Sequence, residues 1–124
     1  MHAFLRSSIY YKRQGILERF EAKLNKYFFS DKPQNLGLPS VTWCAEELSL
    51  SANYFGDLIK KETGISPQEY IQTKVIEVAK KRLFDADKSI SEIAYELGFR
   101  YPQHFTRLFK QRTGITPNEF RIVN

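Results

Sequence analysis

The chain has 124 residues with ten Phe, seven Tyr and one Trp, enough bulky apolar material for a real core without disulfides or metal, and too little Gly and Pro for a low-complexity chain. A formal charge of +5 suits nucleic acid or an anionic surface as partner, whereas no apolar run is long enough to span a membrane and no signal-peptide pattern follows Met1. A lone cysteine, Cys44, excludes an internal disulfide and a cysteine-based metal site, and His2 and His104 lie far apart without ligand-spaced neighbours, so the expectation is a soluble cytoplasmic protein with no cofactor, no metal and no catalytic site.

In chain order, residues 1–14 show no clear periodicity and read as an N-terminal extension, or as the remnant of a connection to another domain. Tyr10 and Tyr11 within it could stack on single-stranded bases or meet a neighbouring domain. Ile16, Leu17, Phe20, Leu24, Tyr27 and Phe28 then recur on one helical face. Asp31 to Pro39 reads as a loop. From about 40 to 64 the pattern is helix, turn, helix. Ala45 and Leu48 share a face of the first helix, Ser49-Leu50-Ser51 breaks it, and Ser51 is placed to cap the second. Phe55, Leu58 and Ile59 form the apolar stripe of that second helix, which stops at Thr63-Gly64.

Pro67 opens a longer helical pattern, about 67–85, with Tyr70, Val75, Val78, Ala79 and Leu83 as its apolar positions. A helix of that length spans about 25 Å and is a stiff spacer. Its Lys80-Lys81-Arg82 run is either a solvated face or a set of phosphate contacts. A second helix-turn-helix pattern follows at about 89–114, with Ala94 and Leu97, a break at Gly98-Phe99-Arg100-Tyr101, Pro102 at the start of the next helix, and the stripe Phe105, Leu108, Phe109.

The two patterns are copies. Lys60-Lys-Glu-Thr-Gly-Ile-Ser-Pro-Gln-Glu-Tyr70 recurs as Lys110-Gln-Arg-Thr-Gly-Ile-Thr-Pro-Asn-Glu-Phe120, and Ser40-Val-Thr-Trp-Cys-Ala-Glu-Glu-Leu48 as Ser89-Ile-Ser-Glu-Ile-Ala-Tyr-Glu-Leu97. The spacing grows by one residue between Leu97 and Phe105, where a turn can absorb it. The Thr-Gly-x-x-Pro units are helix stops and starts and mark the repeat.

Paired helix-turn-helix units point to duplex DNA, because the second helix of such a unit fits the major groove and reads base edges there. Major-groove faces on one side of the duplex recur about every 34 Å, a spacing that two recognition helices on a stiff connector can meet. Opposite the second stripe lie Gln103, Thr106, Arg107 and Lys110. Gln103, Thr106 and Arg107 are expected to contact bases, and Lys110 a phosphate. The equivalent face of the first copy is Asn53, Gly56, Asp57 and Lys60. Asn53 suits adenine, and Asp57 can accept from cytosine N4. Lys60, Lys61, Ser51, Arg100, Tyr101 and Arg112 complete the expected phosphate contacts. The second copy is expected to carry more of the specificity.

Ile93-Ala94-Tyr95-Glu96-Leu97-Gly98-Phe99, Phe105-Thr-Arg-Leu-Phe-Lys110 and Gly114-Ile-Thr-Pro-Asn-Glu-Phe-Arg121 closely resemble the AraC/XylS family of bacterial regulators, and the resemblance runs from about Ile16 to Arg121. It implies an all-α, two-lobed domain of seven helices over 15–124, binding adjacent major grooves as one unit. It further implies transcription control, contact with RNA polymerase, a nucleoid location, and in many members a separate ligand-binding or dimerisation domain, usually N-terminal. This chain has no room for one and is either a stand-alone regulator or a C-terminal piece. Gly56 and Asp57 depart from the family pattern of longer or basic side chains, and Tyr101-Pro102 makes the entry of the second recognition helix unusual. Two alternatives follow from the residues: a helix-turn-helix scaffold for protein–protein interaction with a degenerate DNA face, and an alkyl acceptor using Cys44. The mid-helix apolar setting of that cysteine reads as core instead. His104 reads as packing or as a surface group near DNA.

Overall fold

The computed structural model describes residues 2–124, with side chains described from Gly15 onward. The described residues form helices and no strands: α1 (His2–Phe28), α2 (Lys32–Leu36), α3 (Val41–Glu47), α4 (Ala52–Thr63), α5 (Pro67–Arg82), α6 (Ile90–Leu97), α7 (Pro102–Thr113) and α8 (Pro117–Val123). The all-α expectation holds, with α3–α4 and α6–α7 as the two helix-turn-helix units and α5 between them.

Hydroxyl caps start most of these helices. Ser40, Ser51, Ser66, Ser89 and Thr116 each accept a hydrogen bond from the backbone N–H three residues on, which satisfies one of the donors a helix start leaves open. Glu92 and Glu119 reach back to close full capping boxes. The exposed Glu119 carboxyl is held below the usual carboxylate range by its bonds to Thr116. The stops also match between copies. Thr63 donates its hydroxyl proton to the Ile59 carbonyl at 2.6 Å and accepts from the Ile65 N–H at 3.2 Å; Thr113 does the same with Phe109 at 2.8 Å and Ile115 at 3.3 Å. Gly64 and Gly114 then take the left-handed conformation that ends each helix.

One continuous apolar core serves both lobes. Phe20, Leu24 and Phe28 of α1 are fully buried, and Phe20 meets Phe55 of α4 edge-to-face at 4.9 Å. In the second lobe Ile93, Ala94, Leu97, Phe105 and Phe109 are fully buried, with Phe120 of α8 against Phe109 at 5.5 Å. Helix α5 packs on α1 and α4 on one side and on α6 and α7 on the other. Its Ile71, Val75, Ile76, Val78 and Ala79 are all buried, so α5 belongs to the core as well as connecting the lobes.

Polar ties reinforce this unity. Arg82 donates to the Phe28 carbonyl at 2.6 Å, and Arg121 donates to the carbonyls of Leu83 at 3.0 Å and Asp85 at 3.2 Å. Lys88 bonds both carboxylate oxygens of Glu96, at 2.7 and 2.9 Å. Arg82 is half-buried, and burial lowers its pKa while Glu96 opposes that shift. It therefore belongs to neither the solvated face nor the phosphate contacts expected of its run, unlike the exposed Lys80 and Lys81.

Several expectations are corrected. The N-terminal helical pattern begins at His2, far upstream of Ile16, although the side chains of Tyr10 and Tyr11 lie outside the described residues. The expected loop at 31–39 contains α2, for which Pro33 supplies a preset φ in the first turn and Gly37 the stop. That helix makes the count one more than the resemblance implies. The connector ends at Arg82, with Leu83 as its cap.

Helix α2 packs on α6, and the contact narrows to backbone against backbone at Gly37 and Gly98. A Cβ on Gly98 would stand 2.7 Å from the Gly37 carbonyl carbon and 2.9 Å from the Leu38 nitrogen, and its φ of +104° already favours glycine. Tyr27 fixes the other side of this strap by donating to the Gly37 carbonyl at 2.6 Å.

Candidate nucleic-acid interface

Each recognition helix is oriented by what it buries. Helix α4 sinks Phe55 and Ile59 fully into the core, with Leu58 half-buried beside them; α7 does the same with Phe105, Phe109 and Leu108. From the N-cap through the start of the next helix, 51–70 and 101–120 have the same succession of buried and exposed positions except at Ala52 and Pro102. The opposite faces are therefore presented alike. In α7 that face holds exposed Gln103, Arg107 and Lys110 with half-exposed Thr106. In α4 it holds exposed Asn53, Asp57, Lys60 and Lys61 with half-exposed Gly56.

The turns before these helices differ. Leu50 donates to the Ala45 carbonyl at 2.9 Å, and Phe99 to Ala94 at 3.0 Å, so both turns close identically at first. The left-handed residue inside the loop is Ser49 (φ 58°) in one copy and Gly98 in the other. The extra residue of the second copy falls just after this closure. Ser51 caps α4 directly, whereas Arg100 precedes Tyr101 as the start of α7. Tyr101 provides no side-chain cap; instead the Arg100 guanidinium lies over its ring at 5.7 Å, and His104 meets the ring edge-on at 5.4 Å. Arg100, Tyr101 and His104 thus form an exposed cation–aromatic group at the mouth of α7. The Ser51 hydroxyl uses a lone pair in capping and retains its proton for an external acceptor.

Among the described residues, no ion pair engages Lys60, Lys61, Lys110, Arg100, Arg107 or Asp57. Arg112 differs: its guanidinium donates to Gln72 of α5, which ties it to the connector while leaving it exposed. Tyr54, one position after Asn53, was not singled out from the sequence. It is 55% exposed, off the apolar stripe, and stands where His104 stands in the second copy. Its sequence signal was an aromatic residue out of phase with the helical stripe.

Cys44 is buried at the position equivalent to Ile93, and burial, then Glu47, push its thiol up to about 12. A thiol buried and held neutral in the core is set as packing, which argues against the alkyl-acceptor alternative. Tyr70 is half-buried, its hydroxyl donating to Glu21; burial first and that bond second raise its pKa. No cluster of three metal-ligating side chains, and no helix long and apolar enough to cross a membrane, occurs among the described residues.

Known proteins share both sequence and arrangement. A family model described as a helix-turn-helix domain matches residues 44–122. The transcriptional regulatory protein YesN of Bacillus subtilis is 42% identical over 91 residues, covering 69% of this chain and 25% of YesN. The chain thus spans a quarter of that relative's length. The C-terminal domain of AraT, a response regulator from Geobacillus stearothermophilus, matches with a TM-score of 0.75 at 28% identity, covering 88% of this chain and 85% of that domain. The DNA-binding domain of AdpA, in complex with a target DNA, shares the fold with a TM-score of 0.66 at 23% identity, covering 82% of this chain and 89% of that one. With the matched residues spanning both helix-turn-helix units and the connector between them, the chain belongs to the AraC-type helix-turn-helix family.

Proposed function

We propose that this chain binds duplex DNA sequence-specifically and regulates transcription, placing α7 in one major groove and α4 in the next. The observation that carries this reading is the duplicated, solvent-facing polar surface of two helices whose opposite sides are locked into one core. AdpA's domain, which shares the fold, is bound to a target DNA.

In α7, Arg107 is a bidentate donor to guanine, Gln103 pairs with adenine, and Thr106 offers a methyl and a hydroxyl. In α4, Asn53 and Asp57 meet base edges, with Tyr54 beside them. Lys60, Lys61, Ser51, Arg100, Tyr101, Lys110 and Arg112 line the phosphates, and fix register without carrying sequence information. The domain occupies 15–124, acts without catalysis, and works on nucleoid DNA in the cytoplasm. RNA polymerase, and a ligand-binding or dimerisation domain, are the partners the family resemblance adds.

Selection from a random duplex library tests this. The expected outcome is one bipartite motif with half-site centres about 10 bp apart and affinity falling steeply with salt. Weak, salt-sensitive binding to every duplex, with no motif enriched, would overturn sequence-specific reading by this chain. No binding at all would favour the protein-interaction scaffold.

A further inference from the structure

Four glycines of the described chain have positive φ, at 37, 64, 98 and 114, and each stands at a turn or helix end. Gly56 does not. It sits inside α4 with ordinary helical backbone, where glycine is a poorer helix former than alanine. No neighbour explains it either, since a Cβ built there would meet nothing within 4 Å. The folded chain itself has room for a side chain at this position.

The missing Cβ lies on the outward face, between Asn53 and Lys60 and next to Asp57. An α-helix with its side chains is about 10–12 Å across, and the major groove is about 12 Å wide and 8.5 Å deep. Side-chain size at the centre of the inserted face therefore sets how deep the helix sits. The two copies differ in just this respect. The face of α7 carries the long Gln103 and Arg107 around Thr106, whereas that of α4 carries the short Asn53 and Asp57 around Gly56. Short side chains reach base edges only from a helix that lies close to them.

We propose that Gly56 is a specificity-determining position: its bare backbone lets α4 seat against the base pairs, bringing Asn53 and Asp57 within reach of base edges. The proposal rests on the DNA-binding reading above. It makes the first copy a reader by close fit as well as a positioning element.

The test is Gly56→Ala in the full chain, measured on the duplex that the wild-type chain selects. Arg107→Ala first assigns the half-sites, because it relaxes preference in the one read by α7. Gly56→Ala should melt at a higher temperature than wild type, since alanine favours the helix. It should bind the selected duplex about tenfold more weakly, and should match wild type on a duplex whose α4 half-site is scrambled. Unchanged or tighter binding of Gly56→Ala to the selected duplex would overturn the proposal while leaving the DNA-binding reading intact. Equal weakening on selected and scrambled duplexes would also overturn it, by showing a general loss of affinity. Failure of the wild-type chain to select any motif would instead remove the reading on which the proposal stands.

Discussion

The two helix-turn-helix units of this chain are nearly superimposable in what they bury and unlike in what they expose. Phe55 and Ile59 correspond to Phe105 and Phe109, Thr63-Gly64 to Thr113-Gly114, and the burial pattern repeats along α4 and α7. On the outer faces Gly56 and Asp57 stand where Thr106 and Arg107 stand. Burial demands apolar side chains, so the internal positions of both copies stay apolar even where size differs, as Ile59 against Phe109 and Cys44 against Ile93. The exposed face is free of that constraint, and there the copies diverge.

The largest expected effect tests the shared interior. Phe55→Ala and Phe105→Ala should each cost about 3–5 kcal/mol, because each empties a fully buried ring site. Since one core joins the lobes, denaturant unfolding should remain a single transition in both variants. Two separated transitions in either would show that the lobes unfold independently and that the core is divided.

Next comes the exposed contrast. Arg107→Ala should cost about 1–3 kcal/mol on the selected duplex and relax preference at one base pair. Asp57→Ala should cost less and alter preference only in the other half-site. Affinities across a panel of single-base variants check both. A uniform loss for Arg107→Ala would remove its base-reading role.

The turns provide a third comparison. Gly98→Ser should destabilise by about 1–2 kcal/mol from its left-handed backbone alone, with the Gly37 contact adding to this. Ser49→Gly, at the matching turn, should be neutral or stabilising by thermal denaturation. A cost for Gly98→Ser no larger than the left-handed backbone alone accounts for would mean that the α2 strap does not press on the second turn.

The smallest effect is Lys110→Ala, expected to weaken binding to all sequences alike and to reduce the salt slope by about 0.9. A changed sequence preference would contradict a phosphate role for Lys110.

The repeat, the helix stops and both apolar stripes were legible in the sequence because each depends on local chemistry: a hydroxyl cap, a left-handed glycine, a 3.6-residue period. The loop assigned to 31–39 was wrong because α2 is five residues long and held mainly by tertiary contact with α6, which leaves no period to read. Ile71 and Ile76 were missed for a related reason. Helix α5 is packed on two sides, so its apolar positions do not form a single stripe. The candidate readers could be placed by their offset from the stripes, but the tie from Arg112 to Gln72 arises only once separate segments meet, and the contact of Arg100 with Tyr101 depends on how the turn orients two neighbouring side chains. Arg82 shows the same limit: a basic run gives no hint that its last member turns inward to a carbonyl of α1.

The joining of α5 to both lobes has a consequence for the nucleic acid. If both helices read DNA, two heads packed on one shared core act as a caliper of set jaw width, unable to follow a target whose halves are moved apart. On the DNA-binding reading, inserting about 5 bp would rotate one half-site by half a turn, to the far side of the duplex. The chain would then hold only one half at a time, and the sequences it recognises would be defined as much by phase as by base identity.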